Sequence, residues 1–144
     1  MTTPTITKTV YTAGYQGRTP DELQRIAERL DATVIDIRFA PFSRNPVWAR
    51  DGLRNVLGNR YRHVHDLGNR NYRDTSLPIE ILNLESGAQQ IQNDRRQSVI
   101  LLCVCKHFHT CHRKVVVDSL NIKSQELEWG DENHEPGSNW LLDA

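Results

Sequence analysis

The chain has 144 residues, 38% hydrophobic and 25% charged, the proportions of an ordinary globular domain. A domain of this size buries roughly 68–70% of its unfolded surface and needs no disulfide staples. Its 18 basic and 18 acidic side chains balance, which excludes a global field drawing it to nucleic acid or an anionic membrane, so any anion site must be local.

The N-terminal stretch MTTPTITKTVYTAGY has no basic segment followed by an apolar one, so no signal peptide is expected. Thr7–Ala13 reads as a strand ended by Gly14. Thr19, Pro20 and Glu22 form a helix start: a hydroxyl N-cap, proline at the first helical position, and glutamate three residues after the cap. Leu23, Ile26, Ala27 and Leu30 give that helix one apolar face. Thr33–Ile37 predicts a second strand, Arg50–Leu57 a short helix and Tyr61–His65 a third strand. Ile79–Ile91 predicts a helix with Ile79, Leu82 and Leu84 on its apolar side. Ser98–Val104 is a continuous apolar run, as a strand covered on both faces requires. Thr110 is placed to cap a helix carrying Val115, Val116 and Leu120, and Gln125–Trp129 predicts a last strand. The acidic, Gly/Pro-containing stretch Gly130–Asn139 reads as a surface loop, with Trp140, Leu141 and Leu142 docking back on the domain.

Alternation of strands and helices predicts one α/β domain over residues 1 to 144, with 130 to 144 as loop and C-terminal tail. Its expected architecture is three layers: a mostly parallel sheet of about five strands with helices on both faces. In such folds ligands bind beyond the carboxyl ends of the strands. Four loops leave those ends, over Gly14–Arg18, Arg38–Trp48, Asp66–Asp74 and Cys105–Thr110.

The last of these loops opens a segment from Cys103 to Arg113 that holds all three cysteines and three histidines. So few cysteines, odd in number and crowded together, are no disulfide framework and fit a reducing cytosol, so a cytoplasmic location is expected. Three readings compete. Cys111 is a thiolate nucleophile, with His112 or Arg113 and a helix N-terminus lowering its pKa. Alternatively, Cys103, Cys105, His107, His109 and Cys111 supply metal ligands, since alternation along an extended chain would point the first four to one side. In the third reading the segment is structural, with Cys103 a small buried hydrophobe and Cys111-His112-Arg113 merely opening a helix. A phosphatase-type loop fits poorly. Six residues after Cys103 stands His109, not arginine, and no glycine intervenes.

Asp36 and Arg38 fall on the same side of the second strand, where they can pair with each other or address one ligand. Tyr15, Gly17 and Arg18, then Ser43 and Arg44, then Gly68, mark the other loops as substrate-binding candidates. Arg18, Arg38, Arg44 and Arg113 sit on loops expected to meet at one sheet edge, which points to a negatively charged ligand.

These residues together resemble the domain of unknown function 488 family. The resemblance runs through Tyr11–Arg18, Val34–Arg38 with Pro41, Ser43 and Arg44, Leu67-Gly68, Leu101–Cys103 and Cys111-His112-Arg113, over about residues 9 to 129. It implies a compact α/β fold and a site built from Asp36, Arg38, Cys103, Cys111, His112 and Arg113. It supplies no reaction. Where the family usually carries an acidic residue this chain has Cys105, and where it has Asp and Pro this chain has Lys106-His107-Phe108-His109.

Two functional expectations follow. One is an enzyme acting on a phosphate-bearing or other anionic substrate, such as a nucleotide or nucleic-acid end. Cys103 or Cys111 would be the nucleophile, His112 the acid/base and the arginines the anion clamp. The other is a non-catalytic sensor that binds an anion or a metal. No cofactor is required by the first; a metal is the cofactor of the second. Arginine and tyrosine interleave at Arg60–His63 and Arg70–Arg73, but a pI near 7.0 lacks the basic footprint of a nucleic-acid binder.

Overall fold

The computed structural model describes residues 4–105 and 107–127. Five strands, β1 (Thr9–Gly14), β2 (Ala32–Asp36), β3 (Tyr61–His63), β4 (Ser98–Cys103) and β5 (Gln125–Glu126), form one sheet in the order β3-β2-β4-β1-β5. Every pairing is parallel. The helices are α1 (Pro20–Leu30), α2 (Arg50–Leu57), α3 (Leu84–Gln92) and α4 (His112–Leu120).

Side chains alternate across the sheet and sort the core into two layers. Ile100 and Leu102 of β4 face Leu23, Ile26 and Ala27 of α1 and Leu53 and Leu57 of α2. Val99, Leu101 and Cys103 face Ala88 and Ile91 of α3 and Val116, Val117 and Leu120 of α4. Strand β4 is thus covered on both faces, which is why its sequence is an unbroken apolar run. Each such leucine or isoleucine contributes about 1.5–3 kcal/mol by leaving water. The three-layer α/β architecture is the expected one.

Local signals explain most boundaries. Thr19 Oγ accepts from the Glu22 backbone N–H at 3.3 Å and donates to its carboxylate at 3.1 Å, so the capping box starts α1 as predicted. The predicted helix over Ile79–Ile91 is shorter, Leu84–Gln92. Residues before it pair instead with the preceding loop: Arg70 N–H to the Glu80 carbonyl at 2.8 Å, Leu82 N–H to Gly68 at 3.0 Å, and Asn83 N–H to Asp66 at 2.8 Å. Asn83 then caps α3 through Ser86.

The third strand stops at His63, and a 3-10 turn over His65–Leu67 replaces its predicted end. Thr110 closes a 3-10 turn over Phe108–Thr110, so Cys111 takes the N-cap position of α4 without a side-chain cap bond. Val115 is only partly buried, and Val117 takes its place in the core. Trp129 and the stretch from Gly130 to Leu142 lie outside the described residues. Among the described residues, no helix is long and apolar enough to cross a membrane.

Candidate functional site

Parallel strands bring their carboxyl ends to one edge, and a cavity of about 610 Å³ lies there. Arg38, Phe39 and Phe42 line it from the loop after β2, Asn71, Tyr72 and Arg73 from the loop after β3, and Cys103, Cys105, Cys111 and His112 from the end of β4 and the start of α4. A second concavity of about 530 Å³ lies between the 41–49 loop and α2 and contains none of the cysteines or histidines.

Two buried ion pairs frame the cavity. Arg38 is 6% exposed and Asp36 is fully buried. Arg38 Nε and Nη2 donate to the two Asp36 oxygens at 2.8 and 2.6 Å, a bidentate pair. Asp36 also accepts from the Tyr61 hydroxyl at 2.6 Å. Arg38 Nη1 donates to the Tyr15 hydroxyl at 3.2 Å, and Tyr15 stacks on Trp48 with ring centroids 4.3 Å apart. Burial opposes the Arg38 charge, but the Asp36 carboxylate outweighs it and holds the guanidinium protonated. Burial, then the same carboxylate, pushes the Tyr61 hydroxyl up, so it stays a donor. His63 and His65 hydrogen-bond the Arg38 and Phe39 carbonyls, each at 2.7 Å, fixing where the loop leaves the strand.

Arg113 is the second anchor, with no exposed surface. Its Nε and Nη2 donate to the Glu126 carboxylate at 2.9 and 2.5 Å. Thr12 donates to the same carboxylate at 2.7 Å. Arg113 Nη1 reaches the Cys103 sulfur at 3.3 Å and the Cys105 carbonyl at 2.7 Å. Glu126 thus reaches the cysteine loop through Arg113. Gly14 completes the clamp: a Cβ there would stand 1.7 Å from the Cys105 carbonyl oxygen and 3.0 Å from Arg113 Nη1. Gly14→Ala is therefore expected to push the Cys105 backbone away and cost about 1–3 kcal/mol in urea unfolding. An unchanged urea midpoint would show that this contact is not tight.

All three cysteines line the cavity beside the N-terminus of α4. The Arg113 guanidinium, 3.3 Å from the Cys103 sulfur, adds a positive charge beside them. The neighbouring thiols first, then the Arg113 backbone and charge, pull the Cys111 pKa well below the ordinary thiol range against the effect of burial. Burial and the Cys111 charge push Cys103 up. The neighbouring Cys111, then burial, does the same to Cys105. Of the three thiols, Cys111 is thus the one whose surroundings favour the thiolate.

His112 Nε2 lies 2.5 Å from the Leu67 carbonyl, so that nitrogen carries the proton. Burial lowers the His112 pKa, leaving a neutral ring with Nδ1 unprotonated. The arrangement offers a thiol of lowered pKa and a neutral imidazole from adjacent residues at the wall of one cavity.

The expected convergence of four arginines takes a different form. Arg38 and Arg113 are neutralised by Asp36 and Glu126 and act as struts rather than as an open clamp. Arg44 is exposed, and neither it nor Arg18 lines the cavity. Tyr15 is buried behind Arg38. Gly17 takes φ 80° in a turn closed by the Arg18 N–H to the Tyr15 carbonyl at 2.9 Å, a conformation suited to glycine. Ser43 accepts from the Asn45 N–H at 3.2 Å, and Gly68 packs on Phe39.

The one-sided row of Cys103, Cys105, His107 and His109 does not form, because the strand ends at Cys103 and a 3-10 turn begins at Phe108. Among the described residues, no group of three or more His, Cys, Asp or Glu side chains is arranged to hold a metal. Glu126 and Tyr61, the partners of the two buried networks, carry no mark in the sequence. Arg73 was visible only as part of an Arg-Tyr interleaving, yet it lines the cavity beside Tyr72.

A family model described as domain of unknown function DUF488 matches residues 22–120, from α1 to the end of α4. No curated protein matches the chain, and no solved structure does.

Proposed function

The chain belongs to the DUF488 family, and from that premise and the site geometry we propose that it is an enzyme using the Cys111 thiolate on a small phosphate-bearing substrate. The observation that carries this reading is the placement of Cys111: at the start of α4, in surroundings that lower its pKa, against a cavity large enough for a nucleotide-sized molecule. Its phosphate would meet the N-terminal amides of α4 and the Arg73 guanidinium. Phe39 and Tyr72, stacked with centroids 4.9 Å apart, offer a wall for a planar group such as a base.

In this scheme Cys111 Sγ attacks phosphorus. The S–P bond forms as the P–O bond to the leaving group breaks, and the departing oxygen takes a proton from solvent. His112 Nδ1 then removes a proton from water as that water attacks phosphorus. The S–P bond breaks, sulfur returns as thiolate, and His112 passes its proton to bulk water. Asp36, Arg38, Arg113 and Glu126 position the loops rather than touch the reacting atoms. Three free cysteines suit the reducing cytoplasm. A non-catalytic anion sensor is the competing reading, favoured by the burial of Cys111, which is 1% exposed.

An activated aryl phosphate ester tests the proposal. Released phenol is expected with the native chain and none with Cys111→Ser, while His112→Ala should accumulate phosphorylated Cys111, seen in the peptide spanning 107–113. Binding without release or adduct would leave the sensor reading in place and end this one.

A further inference from the structure

Cys105 has no part in that scheme, yet it is the exposed member of the three cysteines. It lines the same cavity as Cys111, and the two thiols shift each other's pKa in opposite directions. Its backbone is pinned by Arg113 Nη1, 2.7 Å from its carbonyl, and by the close packing of Gly14 on the same oxygen. The pinned backbone therefore holds this solvent-facing cysteine at the cavity wall that Cys111 shares. Cys103 is differently placed: it ends β4, is 3% exposed within the apolar layer of Val99 and Leu101, and its sulfur accepts from Arg113 at 3.3 Å. Moving Cys103 would disturb the sheet, whereas moving the Cys105 side chain disturbs only a loop.

We propose, building on the Cys111 nucleophile reading, that Cys105 and Cys111 form a hydroperoxide-sensitive dithiol that closes to a disulfide and switches the site off. The Cys111 thiolate attacks the terminal oxygen of a hydroperoxide. An S–O bond forms, the O–O bond breaks, and the alkoxide or hydroxide leaving group takes a proton from solvent. Sulfur has lost two electrons to the peroxide and is now a sulfenic acid. The Cys105 sulfur then attacks Cys111. The S–S bond forms, the S–O bond breaks, and the departing hydroxyl leaves as water with the Cys105 proton. An external thiol reverses the change by exchange. Oxidation removes the nucleophile before it can advance to the irreversible sulfinic acid.

The test treats the full chain with one equivalent of hydrogen peroxide, blocks free thiols by alkylation, and digests it with trypsin without reduction. Cleavage after Lys106 separates Cys103 and Cys105, in peptide 97–106, from Cys111, in peptide 107–113. The expected result is an intact mass lower by two hydrogens and a cross-linked pair of these peptides. Fragment ions should place the bridge at Cys105. The link should vanish in Cys105→Ser, an exposed position where folding is safe, and there Cys111 should react with dimedone as a sulfenic acid. A bridge located at Cys103, or Cys111 oxidised to sulfinic acid while Cys105 stays alkylatable, would overturn the pairing. Alkylation of untreated protein separates the two proposals. Fast Cys111 labelling below neutral pH without a bridge sinks the dithiol and keeps the nucleophile. A bridge with slow labelling does the reverse.

Discussion

Asp36→Ala protein is expected to lose about 3–5 kcal/mol of unfolding free energy in urea, the cost of stranding a buried charge. Asp36 accepts four hydrogen bonds, from the Arg38 backbone N–H, Nε and Nη2 and from the Tyr61 hydroxyl. Removing it leaves a guanidinium that is 6% exposed without its counter-ion and a tyrosine hydroxyl without its acceptor. The pair's net worth against an apolar replacement is much smaller, because both charges were desolvated in the first place. The double variant Asp36→Ala with Arg38→Met should therefore recover most of the loss. If Asp36→Ala alone unfolds within about 1 kcal/mol of the native chain, water reaches this pair and it is no strut.

Arg113→Ala should be as severe, again about 3–5 kcal/mol, with an added effect on the thiols. The side chain has no exposed surface, spans from α4 to β5, and its contacts include two to Glu126, one to the Cys103 sulfur and one to the Cys105 carbonyl. Its loss opens a hole and leaves Glu126 unpaired by its fork. It also takes away the charge nearest the sulfurs, so Cys111 labelling should need a higher pH. Arg113→Lys keeps a charge but cannot offer two parallel N–H bonds, so it should restore reactivity better than stability. Unfolding unchanged in Arg113→Ala would mean that Glu126 and the cysteine loop hold their places without it.

Much of this frame is legible in the sequence, for stated reasons. The Thr19-Pro20-Glu22 start works through atoms within three residues of one another, and the β4 run reports burial on both faces directly. Asp36 ends β2 and Arg38 follows two residues later, a spacing short enough that the pair is legible in the sequence. What stays hidden depends on distant partners. Glu126 meets Arg113 because β5 adds beside β1 at the sheet edge, a neighbourhood no local pattern encodes. The arginines were read as an open clamp because position on the sheet edge is predictable and counter-ions are not. Ile79 to Asn83 carry helical apolar spacing, yet tertiary pairing to the 66–70 segment holds them extended. That Cys105 and Cys111 line one cavity depends on Phe108–Thr110 forming a turn rather than continuing the strand.

The central claim is a thiolate at Cys111, and the rate of alkylation against pH at each cysteine, read by peptide mass, tests it most directly. The geometry predicts that Cys111 reacts with a half-maximal pH below about 7, that Cys105 reacts only at alkaline pH, and that Cys103 stays silent in the folded chain. If Cys111 instead stays unreactive until the chain unfolds, or titrates like an ordinary thiol near pH 8.5, the charge is not where the site requires it.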